Sequence, residues 1–126
     1  MRKKPKLQKI IVIVGPTASG KSALAIYLAK KFNGEIVSAD SRQIYRGMNI
    51  GTAKPEVQKT SGISVTSEGI PQYLIDIKNP DENYTVADYK RDAIKAINKI
   101  IKKKKLPVIV GGTGLYIKSV IDNLTI

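Results

Sequence analysis

The chain predicts an α/β fold: a mainly parallel sheet covered by helices on both faces. Two observations lead there. Short runs built almost wholly from Val, Ile and Leu alternate along the chain with longer segments of helical apolar period. The short runs also lack the polar alternation of a sheet with one wet face, so each reads as a strand buried on both sides.

Residues 9–14, KIIVIV, form the first such run and end at Gly15. The segment KSALAIYLAKKF follows a glycine-rich loop and places Leu24, Ala25, Leu28 and Phe32 on one helical face. Asn33-Gly34 supplies the stop, and EIVSA, residues 35–39, is the second strand. Residues 47–71 have mixed polarity with several Gly, Ser and Thr and define no clear element. YLIDI, residues 73–77, is the third strand and NPDEN the turn after it. Thr85 and Asp88 have the spacing of a capping box, with Asp in place of Glu. The helix they open runs through VADYKRDAIKAINKIIK with Val86, Tyr89, Ala93, Ile97 and Ile100 on one face. LPVIV, residues 106–110, is a fourth buried strand, and a last helix begins in LYIKSVID. Residues 1–8 form a basic tail and residues 9–126 a core that is incomplete at its carboxyl end, because four strands and a closing helix make the first part of a domain.

At 126 residues, 42% of them hydrophobic, the chain suits one domain with a real core. No apolar run approaches the roughly 20 residues that span a bilayer, and the charged start lacks the apolar stretch of a secretory signal. A cytoplasmic protein with no membrane partner is therefore expected. With no cysteine and no histidine, disulfides, thiolate metal sites and an imidazole base are excluded. The net charge of +12, from 22 Lys and Arg against 10 Asp and Glu, favours polyanionic partners. Much of it lies in the tail and in Lys102 to Lys105, where lysines at a helix end also suit the macrodipole without any ligand.

GPTASGKS fits G-x-x-x-x-G-K-[ST], with Gly15, Pro16, Thr17, Ala18, Ser19, Gly20, Lys21 and Ser22 forming a phosphate-binding loop. The glycines let successive N–H groups turn inward on phosphate oxygens, the helix adds its positive end, and the Lys21 ammonium neutralises the outer phosphate. The Ser22 hydroxyl is placed to ligate Mg²⁺. A strand before and a helix after supply the required setting, that of a P-loop NTPase-like three-layer core. The loop does not specify its phosphate; a kinase, an ATPase and an enzyme that releases diphosphate all use one. An acid closing an apolar strand often holds Mg²⁺ beside such a loop. Asp40 and Asp76 both qualify, Asp76 being more simply a turn acid.

GPTASGKS, DSRQIYRGMNIGTAKP, YTVADYKRDA and PVIVGGTGLYIK together closely resemble the tRNA dimethylallyltransferases, also called tRNA isopentenyltransferases, in the family's order and over residues 9–122. The resemblance implies transfer of a dimethylallyl group from dimethylallyl diphosphate to N6 of an adenosine beside the anticodon of tRNA, with release of diphosphate. On that reading Gly15 to Ser22 bind the diphosphate, Lys21 offsets its leaving charge and Ser22 helps to hold Mg²⁺, while Asp40 is the general base. Ser41, Arg42 and Gln43 continue the tRNA-contacting segment with Asp40, and Thr113 lies near the target nucleotide. Where the family writes two histidines before LID, this chain has Gln72 and Tyr73. The resemblance also implies a fragment. The helical insertion that grips the anticodon stem-loop and the rest of the core would follow, the full-length protein would be a monomer, and this polypeptide alone would transfer poorly or not at all. A small-molecule or nucleotide kinase and a non-catalytic tRNA- or diphosphate-binding module are the alternatives.

Overall fold

In the computed structural model, residues 9–15, 20–47, 57–60 and 63–123 are described. Among the described residues six strands and three helices follow one another as β1 (Ile11–Val14), α1 (Lys21–Lys31), β2 (Gly34–Ser38), β3 (Val57–Thr60), β4 (Ile63–Thr66), β5 (Gln72–Tyr73), α2 (Val86–Lys102), β6 (Leu106–Gly111) and α3 (Gly114–Ile121). The main sheet has the order β1-β6-β2-β5 and every pairing in it is parallel.

Alternate residues of β2 and β6 feed two cores, as the unbroken apolar runs require. Val37 and Ile109 face α2 and α3, with Tyr89, Ala93, Ile97, Tyr116, Ile117 and Val120. Ile36, Val108 and Val110 face α1, with Ala25 and Ala29. The helices thus sandwich the sheet, as expected.

The buried face of α1 is not the one its leucines suggest. Ala25 and Ala29 are buried with Ile26 packed beside them, whereas Leu24 and Phe32 are about half exposed. Helix and sheet approach closely here: a Cβ at Gly34 would lie 3.4 Å from the Ala29 Cα, and the small alanine side chains form the contact. Asn33 takes the left-handed conformation (φ 55°) that ends the helix, and Gly34 begins the strand.

The expected strand over residues 73–77 stops after Tyr73. Leu74 (φ 65°) and Asp76 (φ 54°) are left-handed, which breaks the extended run. The segment instead docks on the turn after β2, with Asp76 N donating to Gln43 O at 2.9 Å and Ile77 N to Ile44 O at 2.8 Å. Within residues 47–71, where no element was expected, β3 and β4 form an antiparallel hairpin beside β5. The capping box of α2 is present as read: Asp88 N donates to Thr85 Oγ1 and Thr85 N to Asp88 Oδ2. Tyr89, Ala93, Ile97 and Ile100 are buried, while Val86 in the first turn is exposed.

Part of the lysine run has a structural role. Lys103 Nζ donates to both Glu35 oxygens at 2.7 and 2.8 Å, Lys105 Nζ lies 3.4 Å away, and Tyr73 donates its hydroxyl to Glu35 at 2.7 Å. Glu35 is 1% exposed. Burial alone pushes its carboxyl up; Lys103, Tyr73 and Lys105 together outweigh that and hold it below the ordinary glutamate value. A lowered folded value stabilises above the unfolded pKa of about 4.3 and is lost as pH falls through the folded one. Glu35→Gln is expected to cost about 1–2 kcal/mol at pH 7, since the half-exposed lysines can rehydrate. Urea midpoints for the two proteins should converge as the medium is acidified below that range.

Candidate active site

The carboxyl ends of β1, β6 and β2 form one rim. The connection from β1 leads to α1 on one face and that from β6 to α3 on the other, so β1 and β6 flank a topological switch point. Crevices at such points are where open α/β sheets take ligands.

On the β1 side stands the glycine loop. Gly15 and Gly20 to Ser22 are described; Pro16, Thr17, Ala18 and Ser19 lie outside the described residues. Gly20 is left-handed (φ 80°) and caps α1, whose first turn has no acidic residue to cancel its positive end. Lys21 Nζ donates to the Gly15 carbonyl, so the ammonium sits over the start of the loop. Gly112 closes against the same point: a Cβ there would lie 3.1 Å from Gly15 O and 3.5 Å from Lys21 Nζ.

On the β2 side stands Asp40, 7% exposed and held from its own chain. Its Oδ1 accepts from Arg42 N at 2.9 Å, and its carbonyl from Gln43 N at 3.0 Å. This Asx-type turn fixes the carboxylate through Oδ1. Thr113 locks the next residue: Ser41 N donates to Thr113 Oγ1 at 2.9 Å, and Thr113 N donates to Ala39 O at 3.1 Å. Asp40, Ser41 and Thr113, read from distant motifs, therefore form one unit.

Gln43 stands apart from the other residues of its motif. It is buried, with its Oε1 accepting from the Ser38 hydroxyl at 2.8 Å, whereas Arg42 is exposed. Tyr45 packs against the core, and Asp76 lies in the left-handed bend three residues beyond β5. Residues that the motifs did not single out complete the unit. Tyr89 donates its hydroxyl to Ser38 O at 2.8 Å and stacks on Tyr116, ring centroids 4.0 Å apart and planes 9° off parallel.

The strand between the two groups sets their separation. β6 lies between β1 and β2, so loop and acid are two strand spacings apart, about 10 Å. Among the described residues no three His, Cys, Asp or Glu side chains cluster as a metal cage. Ser22, on the loop side, offers a hydroxyl oxygen, which suits an ion that takes one protein oxygen and the remainder from phosphates and water, as Mg²⁺ does. No helix among the described residues is long and apolar enough to cross a membrane.

Fold and rim define an α/β protein with a glycine-capped helix start and a fixed carboxylate on opposite sides of one strand. The family model for IPP transferase matches residues 43–126, and the chain belongs to that family. It is 54% identical over 118 residues to a tRNA dimethylallyltransferase of Acetivibrio thermocellus, covering 94% of this chain and 36% of that protein. The full-length crystal structure of a tRNA isopentenylpyrophosphate transferase from Bacillus halodurans superposes with a TM-score of 0.80 at 46% identity, over 95% of this chain and 37% of that one. A eukaryotic dimethylallyltransferase described as acting on tRNA gives a TM-score of 0.81 at 35% identity, over 95% of this chain and 28% of that one. The chain thus spans about a third of the length of its relatives.

Proposed function

We propose that this chain supplies the donor-diphosphate loop and the acceptor base of a tRNA dimethylallyltransferase built on a P-loop core. The observation that carries the reading is the pairing of the Gly20–Lys21 helix start with the Asp40–Ser41–Thr113 unit across β6. In the reaction the N6 lone pair of adenosine attacks C1 of dimethylallyl diphosphate. The C1–O bond breaks, its electron pair leaves with diphosphate, and the N6 proton passes to Asp40. The adenine amine is a weak nucleophile because its lone pair is drawn into the ring, so a carboxylate within reach accepts the proton as the N–C bond forms. Lys21 and the loop N–H groups stabilise charge gathering on the leaving diphosphate. Ser22 would hold Mg²⁺, which when bound supplies further neutralisation of that diphosphate. Arg42, exposed beside Asp40, would meet the tRNA backbone. The reading implies a cytoplasmic enzyme, monomeric at full length.

Two experiments test it. The 126-residue chain, titrated with pyrophosphate and with a non-hydrolysable dimethylallyl diphosphate analogue, should show amide shifts at Gly15, Gly20 and Lys21 by NMR. Lys21→Ala should weaken that binding roughly 10- to 100-fold, the worth of a charge-assisted contact. The chain completed with the remaining carboxyl-terminal part of the Acetivibrio thermocellus relative should prenylate undermodified tRNA. Phosphoryl transfer from ATP at this loop, with prenyl donors excluded, would overturn the assignment.

A further inference from the structure

We propose that the Tyr116 hydroxyl is a hydrogen-bond donor that reads the target adenine next to its reacting amine, an inference that rests on the role given to Asp40 above. Tyr116 is 7% exposed, and its ring cannot swing. One face is stacked on Tyr89, itself fully buried and anchored through its hydroxyl to Ser38 O. Its backbone N–H donates to Thr113 O at 3.1 Å, and Thr113 in turn holds Ser41. The ring is therefore clamped by the residues that flank Asp40 on either side.

The hydroxyl is placed differently from the ring. It makes no hydrogen bond among the described residues, while the one buried side-chain polar atom without a partner among them is the Ser64 hydroxyl. The Tyr116 oxygen thus keeps access to solvent at the end of an otherwise buried ring. Burial pushes the phenol up, and Tyr45, Asp40 and Asp88 act in the same direction. At neutral pH the group is protonated and can donate.

Through Thr113 and Ser41 the Tyr116 ring is tied to the segment that carries Asp40, and a donor and a carboxylate brought to one site match one nucleobase edge. Adenine offers the N6 amine, a donor, flanked by ring nitrogens N1 and N7, both acceptors. Asp40 takes the N6 hydrogen and Tyr116 gives its own to the neighbouring nitrogen. Guanine would set the O6 acceptor against the carboxylate, two electron-rich oxygens face to face. The Tyr116 hydroxyl therefore adds selectivity for adenine as well as affinity.

The test uses the completed chain with anticodon stem-loops carrying adenosine, 7-deazaadenosine or 1-deazaadenosine at the reactive position. Tyr116→Phe retains the stack on Tyr89 and removes only the oxygen. It should lower kcat/KM for the acceptor roughly 10-fold, with the KM for dimethylallyl diphosphate and the melting temperature unchanged. One deaza analogue should penalise the wild type by the same factor and Tyr116→Phe not at all. Unchanged kcat/KM, or full penalties from both analogues in Tyr116→Phe, would overturn the proposal. Asp40→Asn, run alongside, separates the two readings: if it abolishes transfer while Tyr116→Phe is silent, only the tyrosine's role falls. If it leaves transfer intact, both fall. On the 126-residue chain, the ring carbon resonance of Tyr116 should shift with the adenosine stem-loop and less with one deaza analogue; no shift with any of them also sinks the proposal.

Discussion

Asp40→Asn in the completed chain is expected to lower the rate of transfer by about 10²–10⁴-fold, the usual worth of a positioned general base. The substitution is nearly isosteric. An asparagine carbonyl can still accept from Arg42 N, the bond that holds the Asp40 carboxylate at 2.9 Å, so the turn and the Ser41–Thr113 contact beside it should survive. What is lost is the second oxygen's capacity to take a proton, since an amide is not a base in this range. Binding of diphosphate should be untouched, because the loop at Gly20 and Lys21 lies on the far side of β6. A single-turnover assay separates the outcomes: a chemical step slowed at saturating donor and tRNA supports the assignment. An unchanged step removes Asp40 from proton transfer and leaves it as the turn's hydrogen-bond acceptor alone.

The legible parts of this molecule were those specified locally. The apolar runs of β1 and β6, the Thr85–Asp88 box and the Asn33 stop each depend on a few consecutive residues, and each stands where the sequence placed it. YLIDI shows the limit. It is as apolar as a strand, yet Leu74 and Asp76 are left-handed and the N–H groups of Asp76 and Ile77 bond to Gln43 and Ile44 some 30 residues earlier, about which local pattern carries no information. On α1 Ala25 is buried as expected, but Ala29 rather than Leu24 or Phe32 completes the buried face, a choice set by contact with a sheet distant in sequence. In the site, the glycine loop was legible as a short motif, whereas Asp40 was separated from Asp76, and Thr113 noticed at all, only through resemblance to a family. The Tyr89–Tyr116 stack and the Ser38–Gln43 bond join residues from separate elements and had no signal of their own. The Lys102–Lys105 run could be read for charge but not for Glu35, its buried partner across the sheet.

Gly111→Ala should cost about 3 kcal/mol or more, overpacking combined with broken hydrogen bonds. A Cβ at this position would lie 2.2 Å from Ala39 O and 2.4 Å from Ala39 C, atoms of a neighbouring backbone that no rotamer change can clear. The only relief is to part β6 from the end of β2. That would stretch Ala39 N to Val110 O, now 2.8 Å, and Thr113 N to Ala39 O, now 3.1 Å. Thr113 would then move away from Ser41, so the residue that damages stability also dismantles the Asp40 unit. Gly114→Ala is the matched control, because its Cβ would meet nothing within 4 Å. It enters the first turn of α3, where alanine is the better helix former, and should be neutral or stabilising by up to about 1 kcal/mol. Urea unfolding of the 126-residue chain compares the two directly. Equal midpoints would mean that the β2–β6 end yields more easily than its geometry implies, and that Asp40 is not held as rigidly as a general base in this site requires.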